Sequence, residues 1–579
     1  FNNSILNSGN NAMVIYSADN VNITNNIIEN NAFGIFLDTF NNGIIRGNII
    51  NNNNGAGIDT GSSSNIQILN NTIKNNSGVG IYLIESINSS ITNNNIFNNG
   101  QDGIYGINSN NVYITSNNIE NNGLCSIYLS EFTNTLINSN IFKNNYQAIN
   151  IGQSSNINLT SNVVENNEIA VQISDSKNIK IRYNNIYKNS LDGIYIDSSE
   201  LVKIISNSIW SNEGEGISFM NSDNAEITSN TIQNNNGRGV YLLYSSDNQI
   251  FNNNIRNNDY GVYIDYGNDN KVTKNSFSNN DDGISIYGDN NIITNNLVYS
   301  ALYDGILVDG YNNKINYNNI RKSNHGIIIY SEYNNIYKNI IKNSYTGILI
   351  NNDNNIISNN IISNSKSTGI KTYGSFNKLK NNNISGKSSL YGIVLVGDSN
   401  QISNNKINIK NQGVSVKGNY NYLFKNNIRS SKIGVLVEGH NNRIKSNRIN
   451  AKNLGLRVIG NKNKIVSNKV KSTVNGISGF GSQNSFYKNR VSSNKKYAIQ
   501  ISGNRNIIKS NVASKSKNHG IKVNGDKNKV YYNIARFCGV HGMKIAGDFN
   551  YVYSNKLGKQ LNKRICVFGY RNKVVKSKS

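Results

Sequence analysis

Proline is absent from all 579 residues, and the chain holds one Trp (Trp210), three Cys, three Met and four His. Each scarcity excludes something. A chain without Pro can pair its strands on both sides throughout, because Pro cannot donate to a β-ladder. Three cysteines, Cys125, Cys538 and Cys566, are too few and too scattered for a disulfide framework. No run of ~18 or more apolar residues occurs, so no membrane insertion is expected within this chain. No leader of the secretory type is visible. Length alone would allow three or four globular domains, but the composition is too repetitive for that count.

What is present is Asn in excess, with Ile, Ser, Tyr and Lys behind it. Asn-rich tracts often signal disorder. Here Ile, Val or Leu interrupts them at fixed intervals, which disorder does not require. The marker is Gly, an apolar residue, any residue, then another apolar residue. It recurs from Gly34 to Gly542, with Ala12, Ser126, Ala148, Ala170 and Ala498 filling slots, at spacings of 21 to 24 residues. In GIYID at 193–197, Ile194 and Ile196 point one way and Tyr195 the other, the alternation of a strand. A turn follows, and then N-x-I-x-x-N-x-I, as in Asn442, Ile444, Asn447 and Ile449. The period therefore predicts three short strands and no helix. The expected fold is all-β, a right-handed single-stranded parallel β-helix of about 25 coils running as one continuous solenoid through 1–579. Columns such as Asn400, Asn421, Asn442 and Asn447, Asn468, Asn489 are expected to stack as ladders, with Asn tolerating the left-handed backbone of tight bends. The repeat is already running at Phe1, so the chain reads as a fragment or processed product lacking its caps.

These repeats resemble those of the NosD-like, carbohydrate-binding and sugar-hydrolase group of parallel β-helix proteins, and of Asn-rich adhesin-like surface proteins of archaea and bacteria. The resemblance covers the whole chain and implies the fold and an extracellular, cell-surface or, in a diderm bacterium, periplasmic setting. NosD itself is associated with copper-centre maturation. The likeness lies in the repeat alone, so copper is not carried over.

Net charge is +25, unevenly spread. Residues 1–290 carry 12 Lys and Arg against 25 Asp and Glu; residues 291–579 carry 46 against 8. An acidic half is thus followed by a basic half whose field suits an anionic polymer. The basic residues are spread over several faces and form no recognised nucleic-acid module, so nucleic acid is not an expected partner.

In a solenoid, neighbours in space are one period apart in sequence. The position before the marker Gly reads Asp282, Asp304, His325 on successive coils. Two carboxylates and a His there could run acid/base chemistry on a glycosidic bond, or hold calcium, with Arg321 and Lys322 on neighbouring coils as further ligand-binding candidates. The cluster is similar in spirit to that of polygalacturonases. It departs from their motifs, offering only Asp281-Asp282 and Asn324-His325-Gly326 in place of N-T-D and G-H-G. Two residues after the marker Gly, a second column holds Tyr82, Tyr105, Tyr128, Tyr195, Tyr241 and Tyr263, a candidate sugar-binding stripe whose alternative role is to stack on itself. Cys538 and His541, with Met543 and His519 near in register, are metal-type ligands, although Met543 fills an inward slot.

The leading expectation is a secreted or surface-displayed adhesin-like protein that binds polysaccharide or cell-surface glycan without catalysis and without a cofactor. The alternatives are a polysaccharide lyase, hydrolase or epimerase using Asp282, Asp304 and His325, and a self-associating structural surface protein.

Overall fold

The computed structural model describes residues 1–430, 432–493, 495–558 and 565–575. It is an all-β right-handed parallel β-helix of about 26 turns, each contributing one short strand to each of three parallel sheets, with no helix among the described residues. The turn count exceeds the expected 25 by one, and paired residues lie 21 to 23 apart, from Asp304↔His325 to Ser4↔Ile27. The chain divides into two compact units, Phe1–Leu297 and Val298–Ser579. Among the described residues no helix is long and apolar enough to cross a membrane.

The marker segment forms the first strand of each turn. Ile306, Ile327 and Ile348 face inward in register on Asp304–Val308, His325–Ile329 and Thr346–Ile350 and are fully buried. The second and third strands add their own inward columns, among them Ile444 and Ile465, and Ile428 and Ile449. The interior of each unit is therefore mainly a stack of branched aliphatic side chains, interrupted by buried phenylalanines such as Phe277 and Phe486. The marker is Gly because the coils touch there: a Cβ on Gly326 would lie 2.5 Å from both the Gly347 carbonyl oxygen and Ile341 Cγ2.

The bends are held by buried asparagines. Asn447 is 1% exposed and all its amide valences are used. Its Oδ1 accepts from the backbone N–H of Asn426 at 3.0 Å and from Asn426 Nδ2 at 2.9 Å. Its Nδ2 donates to the Leu423 carbonyl and to Asn468 Oδ1, both at 3.0 Å. Asn447 thus takes up a backbone donor and a backbone acceptor that the sharp turn removes from the ladder, groups costly to bury unpaired. The expectation that these asparagines are themselves left-handed is corrected. The left-handed residue is the one before, Ser446 (φ 56°) ahead of Asn447 and Asn441 (φ 57°) ahead of Asn442. That residue faces outward, where Ser, Lys and Tyr also occur, as at Lys425 and Tyr420.

The two units solve the bends differently. In the first, a serine ladder, Ser154, Ser176, Ser199, Ser222 and Ser245, follows the first strand, and asparagine ladders hold the other two bends, as in Asn117 with Asn140 and Asn122 with Asn145. In the second, asparagines take the first bend, as in Asn421, Asn442 and Asn463, and the third strand ends on buried Ser430, Ala451 and Ser472.

Asn447→Ala strips four hydrogen bonds from a buried bend and is expected to cost about 3 kcal/mol in urea unfolding, while exposed Asn450→Ala on the next strand should change stability by less than about 0.5 kcal/mol. Equal effects would contradict the ladder's structural role.

Candidate functional site

The position before the marker Gly stacks as a column, because each marker N–H donates to the carbonyl of the residue one turn on. Gly193 N–H donates to Glu215 O at 2.9 Å, Gly216 N–H to Arg238 O at 2.8 Å and Gly239 N–H to Tyr260 O at 2.7 Å. Over the last turns of the first unit this column reads Asp192, Glu215, Arg238, Tyr260 and Asp282, and it builds a polar cluster. Arg238 Nη1 pairs with Glu215 Oε1 at 2.8 Å, and Glu215 Oε2 accepts the Arg238 backbone N–H. Asp192 Oδ1 accepts the Glu215 backbone N–H at 2.8 Å. The guanidinium lies 4.1 Å from the Tyr241 ring centre and 4.4 Å from that of Tyr263. Tyr260 meets Tyr263 edge to face at 5.1 Å, and Tyr287 lies 5.2 Å from Tyr263.

Burial pushes the carboxyls of Asp192, Glu215, Asp259 and Asp265 above their ordinary range. Arg238 pulls all four back without reversing the direction. The phenols of Tyr241, Tyr260 and Tyr263 are raised by the same burial. Clustered, displaced titration of this kind is a mark of functional sites. Of this cluster the sequence pattern singles out Tyr241 and Tyr263 as candidates but not Asp192, Glu215, Arg238 or Tyr260. The column that gave Asp282 contains them one to four turns upstream.

The other tyrosines form two arrangements. Tyr82, Tyr105 and Tyr128 are in register and stack face to face, at 5.2 Å and 19° and then 4.9 Å and 9°. Their faces cover one another, which leaves edges and hydroxyls for a ligand. Tyr195 stands in register between Gln172 and Ser218, its hydroxyl 3.7 Å from Met220 Sδ.

Asp282 belongs to the first unit, on the strand Asp282–Tyr287 opposite Tyr260. In the second unit Asp304 and His325 meet: His325 Nδ1 and Asp304 Oδ1 are 2.7 Å apart, partly open to solvent. Arg321 and Lys322 do not face this pair's sheet. Arg321 Nε donates to Asn319 Oδ1 at 3.2 Å on a third strand, and Lys322 Nζ donates to the Tyr299 hydroxyl at 2.6 Å.

Cys538 and His541 do not combine into a metal centre. Cys538 is fully buried, with its thiol raised by burial and 3.5 Å from the Arg536 carbonyl. His541 stacks on His519 at 5.2 Å with the rings 2° from parallel. Parallel rings at that separation keep their in-plane lone pairs in two separate parallel planes, an arrangement unsuited to closing on one ion at bond lengths of about 2 Å. Among the described residues no group of three or more His, Cys, Asp or Glu is placed to hold a metal ion. His519 is 8% exposed and carries a buried Nδ1 without a hydrogen-bond partner. Burial, then His541, Lys544 and Lys522, lower its pKa from 6.5 to about 4. A depressed value means the unfolded chain binds the proton more readily, so this contribution to stability is full above pH 6.5 and lost as pH falls towards 4. His519→Gln should reduce the acid-induced loss of stability between about pH 7 and about pH 4.5 by roughly 1 kcal/mol, allowing for solvent screening. Urea midpoints at the two pH values check this, and an unchanged loss would contradict it.

Residues 169–310 and 304–433 match the family model described as right handed beta helix region, and residues 1–154 match that described as periplasmic copper-binding protein (NosD). No match is found among curated proteins. Among solved structures the chain is similar to the A-module of the mannuronan C-5 epimerase AlgE4 of Azotobacter vinelandii, at 13% identity over 46% of this chain and 87% of that one, with a TM-score of 0.33. It is similar to the DFA-IIIase of Arthrobacter chlorophenolicus A6, at 12% identity over 52% and 84%, TM-score 0.28. The Dettilon tailspike protein matches at 14% identity over 52% and 58%, TM-score 0.30. The two family matches and the three-stranded turn together support a parallel β-helix built from NosD-like repeats.

Proposed function

We propose that the chain is a secreted or surface-displayed, adhesin-like protein that binds carbohydrate without catalysis, along the outer face of the first sheet in the unit Phe1–Leu297. One observation carries this reading: Arg238 is fixed by Glu215 and lies against the rings of Tyr241 and Tyr263. Its donors, the neighbouring carboxylates and the phenol edges are therefore held in place before a ligand arrives, which reduces the ordering cost of binding. Sugars present hydroxyls in a plane and C–H faces above it, and planar amide, carboxylate and guanidinium groups beside aromatic edges suit both. Asn150 and Gln172 extend the same outward column between Tyr128 and Tyr195. Asp192 and Glu215 accept backbone N–H groups, which favours a binding role for them over proton transfer.

The enzyme reading has its own support in the Asp304–His325 contact, two groups able to exchange a proton at 2.7 Å. Glycan-array binding by the full chain separates the two. The double variant Tyr241→Ala/Tyr263→Ala is expected to weaken binding about tenfold or more. Undiminished binding by that variant, or no binding to any glycan, would count against the proposal. Release of reducing ends or unsaturated product, abolished by Asp304→Asn, would replace it with the enzyme reading.

A further inference from the structure

The third sheet of the unit Val298–Ser579 carries charge that its own fold does not balance. Between residues 399 and 525 the sequence has 24 Lys and Arg and one carboxylate, Glu438. The strands Lys406–Ile409, Asn427–Ser430, Arg448–Ala451, Lys469–Ser472 and Arg490–Ser493 pair in parallel. Their register aligns Lys406, Asn427, Arg448, Lys469 and Arg490 in one column. Two residues further along, a second column reads Asn408, Arg429, Asn450, Lys471 and Ser492. Both columns face outward, since Ile407, Ile428, Ile449, Val470 and Val491 between them are buried.

Arg448, Lys469 and Arg490 therefore sit on consecutive strands, ~4.8 Å apart in the ladder direction. Like charges directly opposite one another are unfavourable. Among the described residues none of these three forms an ion pair. Lys406, Arg429 and Arg448 line one surface depression together with Asn408, Asn427 and Asn450. Lys469, Lys488 and Arg490 line another.

A cation array held in a rigid sheet and left without counter-charges is a surface for a polyanion. Its geometry narrows the chemistry. Cationic groups recur on consecutive strands, and about 7 Å across each strand stands an amide, a hydroxyl or a further cation. A linear polymer of sugar acids offers the matching pair, an anionic group on each residue with hydroxyls beside it, at a comparable pitch. Neither column contains an aromatic ring, so the face lacks the stacking platforms that single-stranded nucleic acid uses. We infer that this face binds a linear acidic polysaccharide laid across consecutive strands, with its anionic groups against Arg448, Lys469 and Arg490. The surface lies in the other unit from the Arg238 cluster, so either proposal can fail alone.

The full chain is titrated with polygalacturonate, with uncharged dextran and with a single-stranded oligonucleotide, at several salt concentrations. Two variants are compared: Arg448→Gln/Lys469→Gln/Arg490→Gln on this face, and Arg443→Gln/Lys445→Gln/Lys464→Gln on the second sheet, removing the same charge. The expected result is binding of polygalacturonate but not dextran, weakened about tenfold by the first variant and less than about threefold by the second, with a shallower salt dependence in the first. The urea midpoint of the first variant should hold or rise at low salt, because repulsion has been removed. Equal weakening by both variants would mean that net charge alone binds and would overturn the inference. So would no binding of polygalacturonate, equal binding of dextran, or tighter binding of the oligonucleotide, which would assign the face to nucleic acid. A fall in the urea midpoint would overturn the premise of unbalanced charge.

Discussion

The hydrogen bonding of a buried asparagine side chain to the backbone of its neighbouring turns is the constraint on which the rest depends. A coil of 21 to 23 residues must turn sharply three times, and at each corner the backbone loses ladder partners. Asn447 restores them by binding the Asn426 N–H and the Leu423 carbonyl while passing one bond on to Asn468. Because each amide bonds the next, a corner can move only if the whole column moves. That coupling keeps the period nearly constant and the registers aligned. It accommodates Ser as well as Asn where the corner is smaller, as the Ser154–Ser176–Ser199 ladder does. It also requires an N–H at every corner, which a chain without Pro supplies.

A fold fixed so thoroughly from within leaves its outward positions free. Inward columns are mostly Ile, Val, Leu, Asn or Ser turn after turn, with a few Phe and Ala, whereas outward columns change character between the units. In the first unit the outer face of the first sheet gathers tyrosines, carboxylates and one pinned arginine. In the second unit the third sheet presents Arg448, Lys469 and Arg490 in a line. The same repeat thus carries two chemically distinct surfaces, and neither needs a loop or an inserted domain.

Much of this was legible in the sequence, for a physical reason. A period-2 strand inside a fixed repeat determines which residues face out and which residues one turn apart are neighbours. The stacking of Tyr82 on Tyr105 and the meeting of Asp304 with His325 follow from that arithmetic alone. What it does not give is side-chain reach. Arg238 contacts Tyr241 within its own turn and Tyr263 on the next, diagonally across two columns, and a search of one column at a time passes over it. Its column nevertheless announced itself, since Asp192, Glu215 and Arg238 occupy the same slot as Asp282. The left-handed residue at each corner was misassigned for a different reason: Asn is common both inside the corner and just before it, so composition does not distinguish Ser446 from Asn447. Lys322 shows a third limit, as it lies at a corner beyond the third strand and its amine reaches the Tyr299 hydroxyl.

Residue-resolved amide hydrogen exchange tests the central claim most directly. The backbone N–H groups of Asn426, Asn447 and Asn468 lie at bends, yet each donates to a buried side-chain oxygen. They should exchange as slowly as the strand amides of Ile428 and Ile449, protected by the full opening of the stack. Exchange at the rate of an unprotected chain, with the neighbouring strands still protected, would show that the asparagine columns do not hold the corners.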